Sequence, residues 1–154
     1  MIKYTIISLG CPKNLVDSEC FASIMESYKM QRTDAWEEAN LILINSCSFI
    51  LAALEELNSL LVDVINATDV RKTKIVVTGC IMNRGYEEFK ESYREVDAWI
   101  PLKDFVAFDQ YLQDSFLFPK VTPQKLSYKQ RTHLEDGKYV YLRIADGCNN
   151  KCSY

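Results

Sequence analysis

Three cysteines close three similar stretches of sequence. Cys11 ends Y-T-I-I-S-L-G-C (residues 4–11), Cys47 ends L-I-L-I-N-S-C (41–47) and Cys80 ends K-I-V-V-T-G-C (74–80). Cysteine thiolates are soft ligands that suit zinc, copper(I) and iron–sulfur clusters. Three protein thiolates leave one position open, on a four-iron cluster or on a zinc ion, and an open position permits chemistry rather than scaffolding alone. A second grouping lies in D-G-C-N-N-K-C-S-Y (146–154), which sets Cys148 and Cys152 four positions apart, a ligand-like spacing. Cys20, beside Phe21 inside a helical pattern, reads as a packing residue.

The elements that must position these thiols follow from hydrophobic periodicity. Each of the three runs before a cysteine is short, aliphatic and continuous, the pattern of a strand buried on both faces of a parallel sheet. Between them lie helical spacings: Phe21, Ile24, Met25 and Tyr28, then Ile50, Leu54, Leu57, Leu61, Val64 and Ile65, then Tyr86, Phe89 and Tyr93. V-D-A-W-I-P (96–101) predicts a further strand, and Phe105, Phe108 and Leu112 a short amphipathic helix. Alternating strands and helices imply an α/β fold, a parallel sheet joined by right-handed crossovers. In such a sheet the carboxyl ends of the strands share one edge with the amino ends of the following helices. Cys11, Cys47 and Cys80 are thereby expected to meet. Any one of them alone reads as a small residue ending a buried strand; their recurrence in one position favours a shared site. Whether it would hold zinc or an iron–sulfur cluster stays open at this point.

Lys13, Asn14, Asp17 and Ser18 follow Cys11 closely. Asn14 is expected to cap the first helix or to orient a ligand, and the others to serve as capping and first-turn polar residues. His133 is expected to be solvated. Residues 113–137, with Pro119 and Pro123, hold no sustained period and read as a linker or covering arm. Beyond them Val140, Leu142 and Ile144 alternate with Tyr139, Tyr141 and Arg143, which predicts a new strand over 139–145. The organisation expected is a domain over 1–113, a linker over 114–137 and the start of a second unit over 138–154.

Composition narrows the partners. The 154 residues are 48% hydrophobic with a net charge of -3, and no stripe of Lys and Arg offers a grip on nucleic acid. The apolar run at the start is too short for a secretory signal, and no run reaches membrane-spanning length. A cytoplasmic chain is expected, in which cysteines serve as ligands, reactive thiols or core residues rather than disulfides.

L-G-C-P-K-N-L-V-D-S-E, N-S-C-S-F-I and V-T-G-C, followed after the linker by D-G-C-N-N-K-C-S-Y, resemble the amino-terminal part of the radical S-adenosylmethionine methylthiotransferase family, in order along the whole chain. The C-P-K-N form is similar to the branch that modifies a small-subunit ribosomal protein; the branch acting on transfer RNA usually carries C-Q-M-N. The resemblance implies that Cys11, Cys47 and Cys80 hold an auxiliary [4Fe-4S] cluster that supplies sulfur. It implies that Cys148 and Cys152 are the first two ligands of a second, radical [4Fe-4S] cluster whose C-x3-C-x2-C motif needs a third cysteine at position 155. The chain is thus expected to be cut inside that motif and inactive by itself, its residues from 138 on opening a β/α barrel that binds S-adenosylmethionine. For the complete enzyme the resemblance implies a deoxyadenosyl radical that takes hydrogen from an aspartate β-carbon, then insertion of a methylthio group. A ribosomal-protein substrate and a reducing electron donor are the implied partners, with no membrane and no nucleic acid through this part. Two departures stand out: Ser46 where threonine is frequent, and G-C-I-M-N-R-G (79–85) after the third strand, which leaves Arg84 and Tyr86 without assigned roles. The alternatives are a transfer RNA methylthiotransferase fragment and a stand-alone zinc or iron–sulfur binding module.

Overall fold

The computed structural model describes residues 1–48, 51–83, 86–119, 131–135, 137–145, 149–150 and 152. Five parallel strands form one sheet: β1 (Lys3–Ser8), β2 (Gln31–Arg32), β3 (Leu41–Ser46), β4 (Lys74–Gly79) and β5 (Ala98–Trp99), in the order β2-β1-β3-β4-β5. Helices α1 (Pro12–Ser27), α2 (Leu51–Ala67), α3 (Tyr86–Ser92) and α4 (Phe105–Phe116) alternate with them. The α/β parallel sheet read from periodicity is the fold observed. The edge strand β2 was invisible in the sequence because two residues carry no period.

The continuous aliphatic runs are explained by burial on both faces. On one face Leu41, Leu43 and Val76 pack against Phe21 and Met25 of α1 and Phe108 and Leu112 of α4. On the other, Ile42, Ile44, Ile75 and Val77 pack against Leu57, Leu61 and Val64 of α2. Each such side chain, fully removed from water, contributes about 1.5–3 kcal/mol. With both faces covered, the sheet has a topological switch point between β1 and β3, from which α1 and α2 leave to opposite sides. Ligands of open α/β sheets bind outside the carboxyl ends of the strands at such a point.

Two expectations are corrected, and α4 runs through Phe116, four residues into the stretch read as a linker, before ending on Leu117 in the left-handed conformation. Residues 139–145 form no strand; Leu142 and Ile144 are exposed, because an alternating segment becomes a strand only when a neighbour pairs with its backbone. Asn14 is not the cap of α1. Cys11 holds that position without a side-chain cap bond, and Pro12 takes the first helical turn, where its missing N–H costs nothing.

Candidate metal centre

Cys11, Cys47 and Cys80 all lie at the carboxyl edge: Cys11 is the N-cap of α1, Cys47 follows β3, and Cys80 opens a 3₁₀ turn (Cys80–Asn83) after β4. Cys11 is exposed, while Cys47 and Cys80 are half-buried. Burial raises the pKa of the Cys80 thiol most, the nearby Cys47 and Cys11 raise it further, then Asp17, while Lys13 lowers it. Cys80 is therefore within electrostatic reach of both other thiols and of one exposed lysine. Among the described residues, no three His, Cys, Asp or Glu side chains are arranged to hold a single metal ion.

Two glycines make room for this edge. Gly10 has φ +102°, and a Cβ there would lie 2.8 Å from Cys47 Cβ and 3.6 Å from its sulfur. The loop carrying Cys11 thus passes directly over Cys47. Gly79 has φ +105°, and a Cβ there would meet Ser46 O at 2.2 Å and Asn45 Oδ1 at 2.5 Å. Both conformations belong to the left-handed region that only glycine adopts without strain, and both immediately precede a cysteine.

Beneath the thiols runs a polar row. Ser8, Asn45 and Thr78 are in register across β1, β3 and β4. The Asn45 amide donates to Asn14 O at 2.8 Å and to Ser18 Oγ at 3.0 Å, and its Oδ1 accepts from Asn14 Nδ2 at 3.1 Å. Asn14 Nδ2 also donates to Ser46 O at 3.2 Å, Ser18 Oγ donates to Ser8 Oγ at 3.0 Å, and Asn14 Oδ1 accepts from the Cys11 thiol at 3.4 Å. The first turns of α1 are pinned to the strand ends by these bonds, and Cys11 is oriented through Asn14. Ser48 Oγ adds a bond to Cys80 O at 3.0 Å. Thr78 Oγ1 is fully buried in this row and has no hydrogen-bond partner among the described residues, an unmet polar atom close behind the cysteine edge.

Of the residues singled out from sequence, Asn14 and Ser18 act in this buried network rather than as helix caps. Lys13 is exposed. Asp17 is buried and ion-paired with Arg143 at 2.6 Å. His133 is half-exposed, with Nδ1 3.3 Å from Glu19 Oε1. Cys152 is exposed; Cys148 and Arg84 lie outside the described residues. Asn45, Gly10 and Gly79 were missed, although an asparagine inside the aliphatic run L-I-L-I-N-S was a signal, since a buried amide must find partners.

Cys20 is 2% exposed, as its packing assignment requires. Burial pushes its thiol up to about 12, with Asp17 adding to the rise and Arg131 and Arg143 opposing it. Iodoacetamide at about pH 8.5 is expected to alkylate exposed Cys11 and Cys152 and to leave Cys20 intact until the chain unfolds, read by peptide mass spectrometry. The sign of the linkage follows: an unfolded thiol ionises near 9, so stability from the neutral buried form is complete below that value and declines as pH rises toward about 12.

The described residues contain no helix long and apolar enough to cross a membrane. Comparison with known proteins gives a match of residues 3–101 to the model of uncharacterized protein family UPF0004. Ribosomal protein uS12 methylthiotransferase RimO of Carboxydothermus hydrogenoformans is 35% identical over 99% of this chain and 36% of its own length. The protein of that name from Campylobacter jejuni strain 81-176 is 33% identical over 100% of this chain and 35% of its own length; that from Thermotoga maritima is 31% identical over 95% and 34%. The chain spans about a third of the length of these curated relatives.

Proposed function

The chain belongs to the UPF0004 family, and from that premise we propose that it is the amino-terminal part of a ribosomal-protein methylthiotransferase, with Cys11, Cys47 and Cys80 as ligands of an iron–sulfur cluster. The convergence of three strand-end thiols on one edge supports this reading: the Cys11 loop passes over Cys47, and Cys80 opens the turn after β4, the strand paired with β3. Similarity of the whole chain to proteins named uS12 methylthiotransferase supports the substrate class, a ribosomal protein; an aspartate β-carbon as the site of modification is part of the proposal.

The donor set fits the group. A single zinc ion needs its sulfurs about 2.3 Å from one centre. Three thiolates on one edge are soft donors of the kind an iron–sulfur cluster takes, each bound to a different iron. When bound, the cluster would supply the sulfur that is inserted. The chain's own part is placement: Gly10 lets the Cys11 loop approach Cys47, Asn14 orients the Cys11 thiol, and the amino end of α1 directs free N–H groups toward negative charge at Cys11. Lys13 adds the positive charge that the field at Cys80 registers.

Cys148 and Cys152 would be ligands of a second cluster, which would supply the chemistry that activates S-adenosylmethionine. The domain division is part of the proposal, with the first unit ending near residue 116, and so are a cytoplasmic location, an external reductant and inactivity of this stretch by itself. Anaerobic reconstitution with iron and sulfide tests the core of the reading. About four irons per chain and a paramagnetic signal on reduction are expected, both lost when Cys11, Cys47 and Cys80 are replaced by alanine. Zinc in place of iron, or no metal at all, would overturn it.

A further inference from the structure

The outer face of α1 carries acidic residues that are nonetheless buried. Asp17 and Glu19 are 2% and 5% exposed, far below what is usual for carboxylates. What covers them are residues 131–135 and 137–145, which follow α4 in sequence and contact the helix. Arg143 grips Asp17 with both ends of its guanidinium, Nη1 to Oδ1 at 2.6 Å and Nη2 to Oδ2 at 3.3 Å. Arg131 pairs with Glu19 at 3.2 Å and also donates to Tyr141 O, which ties the two ends of the segment together. Thr132 donates to Glu19 O at 3.2 Å and to Glu26 Oε2 at 2.6 Å, and Arg32 donates to Leu134 O at 2.8 Å.

We propose that Asp17 is a positioning residue: its buried pair with Arg143 sets the register of the segment leading to Cys148 and Cys152 along α1, and hence its distance from Cys11. The proposal rests on the cluster reading above. Asp17 stands six residues after Cys11 on a helix, about 9 Å along its axis. Arg143 precedes Cys148 by five residues, a covalent reach of at most about 18 Å. Without the pair, the nine residues from Leu134, which Arg32 holds, to Arg143 would permit a span of up to about 30 Å. A bidentate carboxylate–guanidinium pair suits the task because its planar geometry admits one orientation. Removing either partner leaves a charge buried without compensation, so sliding or detachment is penalised in a way that an apolar contact would not provide.

Nitroxide labels on Cys11 and on Ile144→Cys test this by pulsed electron paramagnetic resonance, with Cys47, Cys80, Cys148 and Cys152 replaced by serine and buried Cys20 left in place. The parent is expected to give one narrow distance distribution, Asp17→Asn a distribution at least twice as wide, and Asp17→Glu, which keeps the carboxylate, a recovery toward the parent width. An unchanged width in Asp17→Asn, or a parent already as wide, would overturn the proposal. Should Asp17→Asn fail to fold, as judged by circular dichroism, Arg143→Gln opens the same pair from the covering segment rather than from the helix and is read in the same way. Iron uptake separates the two readings. With native cysteines, Asp17→Asn is expected to bind as much iron as the parent. A parent that binds no iron defeats the cluster site while leaving the docking result to stand on its distances.

Discussion

Replacing Gly79 with alanine is expected to remove a large share of the stability of the fold. The added Cβ would lie 2.2 Å from Ser46 O, 2.7 Å from Ser46 N and 2.5 Å from Asn45 Oδ1. Two of these atoms are backbone of β3, paired in register with Gly79 itself, so relief requires parting the two central strands. The residue also holds φ +105°, where a side chain costs about 1–3 kcal/mol, and overpacking of a filled core adds a similar amount. A total of about 4 kcal/mol is a large share of the 5–15 kcal/mol typical of a domain. Urea unfolding followed by circular dichroism should show the midpoint falling by about a quarter or more, or no cooperative transition at all. A midpoint close to the parent's would mean that β3 and β4 part more easily than their burial implies.

The second large effect is expected at Asn45. Asn45→Ala deletes one acceptor and both amide donors at a site with 0% exposure, removing the bond that the Asn14 carbonyl and the Ser18 hydroxyl each accept from it, although Ser18 keeps its bond to Ser8. Each buried polar group left unsatisfied costs about 1–3 kcal/mol, so a loss of about 3 kcal/mol is expected in the same unfolding experiment. The consequence for the site is separate and more telling. Asn14, which accepts from the Cys11 thiol at 3.4 Å, would lose its bond to Asn45 Oδ1 and keep only Ser46 O. Cys11 should then be alkylated faster in the folded chain and iron loading should fall, although Asn45 touches neither a sulfur nor any metal. Unchanged iron uptake would reduce the network to a purely structural role.

Much of this molecule was legible before its structure. The runs ending at Cys11, Cys47 and Cys80 are continuous and aliphatic because both faces of the sheet are covered, and that single fact gave strand type, parallel pairing and a common edge for the thiols. The helix stripes were equally plain, since Phe21, Ile24 and Met25, or Leu57, Leu61 and Val64, recur at the period of one helical face. The strand expected over 139–145 failed for a related reason. Alternation is a property of side chains, whereas a strand is made by backbone pairing, and no neighbour among the described residues pairs with these.

What the chain determined by itself was therefore local and periodic: which segments are strands, which are helices, and that three cysteines stand at equivalent ends. Tertiary structure decided the rest. Strand order placed Cys11 and Cys47 on either side of the β1/β3 switch point, which no spacing in the sequence encodes. It turned Asn14 from an expected helix cap into a buried bridge to Asn45, because Pro12 begins the helix and brings the third helical residue against the sheet. It also brought Arg143 across 126 positions of sequence to Asp17, giving a first-turn-like acid a buried partner. Periodicity reports which face of an element avoids water; it does not say which distant polar groups will satisfy one another there, because those pairings depend on how the elements stack and on the need to leave no buried charge or amide unmatched.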